Sequence, residues 1–228
     1  MTRPPKRMGA SQRYTSPEFR PYVTALGQLA LAWNDLQESL AALFWTLMNP
    51  PPMAGDIVNY TPLHVWASIK SDRTQRDMLR AISKHPPAFW NRSEIETEIG
   101  WLVDRASELE NLRNDAIHSP LFSVSKSMYG GFDVNPIEKV APAYWLFNPR
   151  AVNLSKRDNL LIEFRYCRDY AITLADYAQL IDRSLINRMG AWPNKPPLPN
   201  RVEKNSRPRK SAHPPKRQPK PPPPPSQA

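Results

Sequence analysis

One short stretch near the middle of the chain combines side chains that could move a proton beside a stabilised anion. It reads Arg113-Asn114-Asp115-Ala116-Ile117-His118. Residues four apart share one face of a helix, so Asn114 and His118 are neighbours there, and the long side chain of Arg113 can reach the same place. A histidine titrates near neutral pH, and an arginine presents a fixed fork of donors to an anion. The spacing therefore predicts a site in which His118 exchanges protons and Arg113 holds negative charge.

This stretch resembles the signature of the HEPN superfamily, a group of α-helical domains that includes many prokaryotic RNases and toxins. That signature is an arginine separated by a few residues from a histidine, often with Asn, Asp or His directly after the arginine. Arg113, Asn114 and His118 match it here, late on a predicted inner helix. The resemblance covers roughly residues 20–185. It implies a metal-independent endoribonuclease of toxin, defence or RNA-processing type, or an inactive relative, with no metal and no cofactor.

The resemblance also implies partners, because one histidine is only half of an acid–base pair. Cleavage of RNA needs a base for the 2′-hydroxyl and an acid for the leaving 5′-oxygen. We therefore expect a homodimer that brings two motifs across one cleft, with RNA as substrate and an antitoxin-type protein as a further partner. Members of the superfamily often carry a polar residue on an early helix that joins the site. Asn34 or Glu38 could fill that role, although an ordinary solvated helix edge is the simpler explanation of both.

The same residues also allow a reading without catalysis. A histidine at a helix end followed by Ser119-Pro120 can cap the helix and interact with its dipole. Arg113 could pair with Glu110 or Asp115 on the surface. The alternative function is then a non-catalytic α-helical interaction module whose basic, proline-rich tail binds anionic partners.

A second group of cations lies on the predicted second helix. Four basic residues there recur at helical spacing and could follow the phosphates of a nucleic acid. A solvated face, partly neutralised by Asp77, is the simpler explanation of the same pattern. The four are Arg73, Arg76, Arg80 and Lys84.

The elements that must position these residues are helices, because apolar residues recur at spacings of three and four along most of the chain. We predict an all-α bundle of four to five main helices, with a small β-hairpin or irregular insertion near residues 121–150. Start and stop signals predict helices from Ser16-Pro17 to Met48, from Thr61-Pro62 to Lys84 with a break near Ser71-Asp72, from Ser93 to before Pro120, and from Ser155 to Met189.

The ends of the chain differ in composition from the middle. The whole chain has a formal charge of +10, of which residues 1–15 contribute +4 and residues 190–228 contribute +8. The last 39 residues contain 13 prolines and show no apolar periodicity. We therefore predict a disordered basic arm over residues 1–15, a domain over 16–189, and a disordered tail over 190–228.

The cysteine content and the apolar segments of the sequence indicate the cellular compartment. Cys167 is the single cysteine, which fits a reducing compartment and a small core residue. The first 21 residues show no apolar core of a secretion signal, and the longest apolar run is about half of what a bilayer needs. We expect a cytoplasmic protein that does not enter a membrane.

Overall fold

A computed structural model gives the structure of the chain, and it describes residues 16–17, 19–50, 58–90, 93–118, 121–124, 139–142, 150, 159–187 and 191–201. Five helices and two short strands have both of their ends in these ranges. They are α1 (Arg20–Met48), α2 (Thr61–Ser68), α3 (Asp72–Lys84), α4 (Glu94–His118), β1 (Leu121–Val124), β2 (Lys139–Pro142) and α5 (Leu160–Ile186). The predicted all-α bundle is confirmed.

Three sequence predictions lie outside the described residues. They are the basic arm over residues 1–15, the proposed cap at Ser155, and the part of the tail after Arg201. In the described part of the chain, no helix is both long enough and apolar enough to cross a bilayer.

The first helix begins later than its Ser16-Pro17 signal predicts. A turn comes first, in which Ser16 O accepts hydrogen bonds from the N–H groups of Phe19 and Arg20, each at 3.1 Å. The helix proper starts at Arg20, with Pro21 in its first turn. A helix begun at Pro17 would require the nitrogen of Pro21 to donate a hydrogen bond, and a proline nitrogen carries no hydrogen. The start signal therefore belongs to Pro21.

The break predicted near Ser71-Asp72 is confirmed, and it separates α2 from α3. Ile69 adopts an extended conformation after α2, and the Ser71 side chain caps α3 by accepting a bond from Thr74 N at 3.3 Å. Gln75 Nε2 donates to the carbonyls of Trp66 and Ile69, each at 3.0 Å. Because these carbonyls have lost their helical partners, the glutamine side chain stabilises the bend.

The last helix begins at Leu160, and Asn159 caps it. The Asn159 side chain accepts hydrogen bonds from Leu161 N at 3.1 Å and Ile162 N at 3.2 Å. The predicted end at Met189 is three residues later than the observed end at Ile186. The predicted β-hairpin region contains an antiparallel pair, in which β1 runs from Leu121 opposite Pro142 to Val124 opposite Lys139.

The core lies mainly between α1 and α5, which run parallel. Gln28 Oε1 accepts a hydrogen bond from Arg168 at 2.9 Å, and Ser39 Oγ accepts one from Gln179 at 3.3 Å. In both contacts the α5 residue lies 140 positions after its α1 partner, so the two helices run in the same direction. The Arg76–Glu110 and Arg80–Asp104 contacts show by the same reasoning that α3 and α4 are antiparallel. The predicted core role of Cys167 is confirmed, because this residue is buried with the apolar side chains of α5.

The boundary between domain and tail lies further along the chain than the predicted residue 190. Residues 191–201 have no regular secondary structure, yet they lie against the bundle. Trp192 and Leu198 pack on the core, and Lys195 and Arg201 form ion pairs with helix carboxylates. The high proline content that predicts disorder therefore describes this segment incorrectly, because proline-rich chain can also pack in an extended form.

Candidate functional site

A buried tryptophan occupies the centre of the region around the Arg113 motif. Trp33, from the apolar stripe of α1, is 1% exposed. Its ring lies 5.2 Å from the guanidinium carbon of Arg113 and 5.7 Å from that of Arg76. Its Nε1 donates a hydrogen bond to Asp72 Oδ2 at 3.1 Å. Cations near an aromatic face are attracted by the electrons of the ring, so Trp33 holds both arginines in place.

Arg76 is buried rather than part of a surface stripe. Its side chain is 1% exposed, and its Nη2 donates to Glu110 Oε2 at 2.5 Å. Its Nε donates to Ser107 Oγ at 3.3 Å. Arg76 therefore cannot contact RNA in this structure, and the prediction that placed it there is wrong. Its helical spacing matches the basic stripe, but burial next to Glu110 gives it a structural role.

Arg113 and Asn114 are brought into direct contact at the edge of this cluster. Arg113 Nη1 donates to Asn114 Oδ1 at 2.8 Å, and both residues are half-buried. The Nε of Arg113 is buried and finds no acceptor within the described residues. Glu110, one of the two carboxylates considered as a partner for Arg113, is bound by Arg76 instead.

His118 lies one helical turn beyond Asn114 and is the last residue of α4. Its side chain is exposed, and the two residues are separated by about 6 Å along the helix axis. Solvent exposure therefore increases along the motif, from Arg113, which is half-buried against Trp33, to His118, which is exposed. A second molecule could reach His118 without displacing any core residue.

A further arginine contacts the motif, although no sequence spacing connects it with Arg113 or His118. Arg150 Nη1 donates to the Asn114 carbonyl at 3.5 Å, across a separation of 36 residues. That carbonyl belongs to the fifth residue from the C-terminal end of α4, the end at which the helix dipole favours a positive charge. Arg76 and Arg113 therefore meet at the Trp33 ring, and Arg150 reaches α4 one residue beyond Arg113.

The suggested supporting residues on α1 do not enter this cluster. Asn34 and Glu38 are both exposed, whereas their neighbour Trp33 is buried. This placement agrees with the solvated helix edge given as the alternative.

The remaining residues of the basic stripe have different environments. Arg73 and Lys84 are exposed, and Arg80 pairs with Asp104 at 2.6 Å. Arg80 and Lys84 line a groove of about 460 Å³ between α3 and α4, which does not include Arg113 or His118. Gly100 also lines it, and a Cβ atom there would meet nothing within 4 Å. The groove mixes both signs of charge, since Glu96, Asp104 and Lys195 also face it.

Comparisons with known proteins identify no relative. No family model matches the chain, and neither the curated proteins nor the solved structures include a significant match. The chemistry of the Arg113 region must therefore be argued from its own geometry. Within the described ranges, no three residues with metal-binding side chains come together.

Proposed function

We propose that this chain is a HEPN-like, metal-independent endoribonuclease that acts as a homodimer in the cytoplasm. One observation carries the proposal: Arg113 is fixed against Trp33 and Asn114, and Asn114 lies one helical turn before an exposed His118 at the end of α4. Fixed cationic donors beside an accessible histidine suit a reaction that builds negative charge and moves protons.

The proposed reaction is the attack of an RNA 2′-hydroxyl on the neighbouring phosphorus. His118 of one copy takes the hydroxyl proton as the oxygen–phosphorus bond forms. His118 of the second copy gives a proton to the 5′-oxygen as its bond to phosphorus breaks, which leaves a 2′,3′-cyclic phosphate and a 5′-hydroxyl. No oxidant, reductant or further reactant is needed. Two histidines are required because one must begin neutral and the other protonated.

The basic residues stabilise the negative charge that develops on the oxygens of the pentacovalent phosphorus. Arg113 is the proposed catalytic cation, since its fork of donors matches the oxygens of a phosphate. Asn114 orients that fork through its 2.8 Å bond to Nη1. Trp33 acts as a positioning residue, because its ring restricts the guanidinium plane. Exposed Arg73 and Lys84, together with Arg80, would contact the RNA backbone away from the reacting bond.

A second candidate function is a non-catalytic helical module that binds anionic partners. The observation that favours it is the engagement of Arg113 itself. Its guanidinium lies over Trp33, and its Nε is buried, as expected of an arginine that stabilises the bundle. In a toxin setting, the antitoxin-type partner would bind over the exposed end of α4.

The test is RNA cleavage by the purified full chain in the presence of chelator. We expect Arg113→Ala and His118→Ala each to lower the cleavage rate by about 10²–10⁴-fold, as loss of one transition-state group typically does. Matched controls are Arg105→Ala, another half-buried arginine of α4, and His85→Ala, another exposed histidine. Both should retain wild-type rates. Arg113→Lys separates the effect of charge from that of geometry, because lysine keeps the positive charge but lacks the planar fork of donors.

The outcomes distinguish the two functions. Cleavage that persists equally in both variants would come from a contaminant, and absence of cleavage by the wild type on several RNAs would favour the non-catalytic module. Sedimentation of the same preparations at micromolar concentration should show a dimer. A monomer that cleaves RNA would contradict the two-histidine mechanism.

A further inference from the structure

Residues 192–201, here named the strap, contact the bundle at every third position. Trp192 and Leu198 pack against the hydrophobic core. Lys195 Nζ lies 3.3 Å from Glu98 Oε1, and Arg201 Nη2 lies 2.6 Å from Glu163 Oε2. These four contacts are spaced three residues apart along the whole segment.

The other two edges of the strap repeat with the same period. Pro193, Pro196 and Pro199 are half-buried, whereas Asn194, Pro197 and Asn200 are exposed. Three residues per turn is the period of a polyproline II helix, which has no internal hydrogen bonds and which proline favours. The strap therefore presents a contact edge, a proline edge and a solvent edge.

The bundle holds the two cations of the strap with the same pair of side chains on two different helices. On α4, Glu98 pairs with Lys195, whose Nζ lies 5.9 Å from the Trp101 ring. On α5, Glu163 accepts two bonds from Arg201, whose guanidinium carbon lies 5.8 Å from the Tyr166 ring. In each case the glutamate and the aromatic residue are three apart, so they are neighbours on one helix face. We name these pairs the Glu98 clamp and the Glu163 clamp.

The Glu98 clamp is supported from within the core. Buried Tyr177 donates a hydrogen bond to Glu98 Oε2 at 2.6 Å, which leaves Oε1 for Lys195. The Trp101 ring meets the Tyr177 ring edge to face, at 87° and 5.4 Å between centroids. Because the carboxylate and the ring are both held by Tyr177, the clamp would keep its shape without the strap.

We propose that the clamp-bearing face of α4 and α5 is a recognition site for a basic polyproline II peptide, and that the strap is its intramolecular ligand. The ligand class has an aromatic residue, a lysine, an apolar residue and an arginine at intervals of three, separated by prolines. Grooves lined by aromatic side chains recognise proline-rich peptides because such peptides lose little conformational freedom on binding. The two clamps require cations about 19 Å apart, the length of six residues in this conformation. This site is distinct from the Arg113 region and does not depend on the proposed RNase activity.

The test uses a full chain whose strap can no longer reach the clamps. Exchanging Asn194 with Lys195 and Asn200 with Arg201 keeps composition and charge but moves both cations to the solvent edge. A fluorescent peptide with the wild-type sequence of residues 191–201 is then added to the exchanged chain and to the wild type. Fluorescence anisotropy should show binding to the exchanged chain that is at least about tenfold tighter, because in the wild type the tethered strap competes at a high effective concentration.

A matched control and a second measurement complete the design. A peptide carrying the same two exchanges should bind the exchanged chain at least about tenfold more weakly than the wild-type peptide, since its cations miss both clamps. Equal binding of the two peptides, or equal binding of the wild-type peptide to both chains, would overturn the proposal. If the exchanged chain does not fold, trypsin cleavage after Arg201 in the wild type provides the answer.

Excess wild-type peptide should displace the strap and speed that cleavage, whereas a peptide carrying Lys195→Gln and Arg201→Gln should not. Neither of these two peptides contains a bond that trypsin cleaves, because Lys195 precedes Pro196 and Arg201 ends the peptide. Identical cleavage rates with the two peptides would overturn the proposal. Sedimentation addresses the other possible occupant: a dimer that is lost in the exchanged chain would mean that the strap binds a second copy, which would overturn its intramolecular role.

Discussion

Removal of Glu110 should destabilise the protein more than removal of its partner Arg76. The Arg76 side chain is 1% exposed and the Glu110 side chain 24% exposed. Glu110→Ala leaves a buried guanidinium whose Nε donates to Ser107 Oγ, and Arg76 Nη1 already finds no acceptor among the described residues. Breaking a buried pair in this way costs about 3–5 kcal/mol, and water reaching the Glu110 side should keep the loss near 3 kcal/mol.

Arg76→Met should cost less, about 1–2 kcal/mol. Methionine fills much of the same volume, and the remaining carboxylate of Glu110 can reach water through its exposed fraction. What is lost is the bond to Ser107 and the interaction with the Trp33 ring. The double variant should then be more stable than Glu110→Ala alone, because it removes the stranded charge.

Urea unfolding of the full chain provides the measurement. At a denaturant dependence of about 2 kcal/mol per molar urea, a loss of 3 kcal/mol lowers the midpoint by about 1.5 M. The control is Arg80→Met with Asp104→Ala, an exposed pair on the same two helices, for which we expect changes below about 1 kcal/mol. If the losses of the two single variants at Arg76 and Glu110 simply add in the double variant, the stranded-charge reasoning is wrong.

Two further predictions concern stability. A chain ending at residue 201 should have the melting temperature of the full chain. A chain ending at residue 189 should lose about 1–3 kcal/mol of unfolding free energy, because it lacks the packing of Trp192 and Leu198 and two ion pairs. Equal melting temperatures of the two shortened chains would show that the strap adds no stability. Burial raises the pKa of Asp182 above its ordinary 3.8, so the charged carboxylate destabilises the native state at neutral pH. Stability of the wild type relative to Asp182→Asn should therefore rise as pH falls from neutral and level off below about 3.8, as measured by urea unfolding at several pH values; a difference that does not change with pH would contradict this.

The helices could be predicted from sequence because burial in a bundle demands one apolar stripe on each of them. The break before α3 was predictable for the same reason, together with the capping residue Ser71. Helix ends were less accurate where two signals competed. Ser16-Pro17 and Pro21 both favour a helix start, and only the missing N–H of Pro21 decides between them.

The candidate site was only partly predictable, because its partners come from distant parts of the chain. Arg76 follows the helical period of exposed Arg73 and Lys84, and only Trp33 and Glu110 reveal that it is buried. Arg150 joins the end of α4 from 36 residues away, and no spacing rule connects them.

The strap was missed for a different reason. Proline content averaged over residues 190–228 predicts disorder, and neither the helical period nor the strand period fits the segment. A search at a period of three would have found Trp192, Lys195, Leu198 and Arg201 on one edge. The acidic partners on α4 and α5 could not have been assigned from sequence alone.

The parallel packing of α1 against α5 has a consequence for synthesis on the ribosome. The buried stripe of α1 finds most of its partners on a helix that begins about 110 residues after α1 ends. At about 5–20 residues per second, roughly 7–28 s pass between completion of α1 and completion of α5. During that interval an apolar helix face is exposed on the nascent chain, where a chaperone or another nascent chain can bind it. The core between α1 and α5 therefore forms only after α5 has been synthesised, because the buried stripe of α1 packs on that helix.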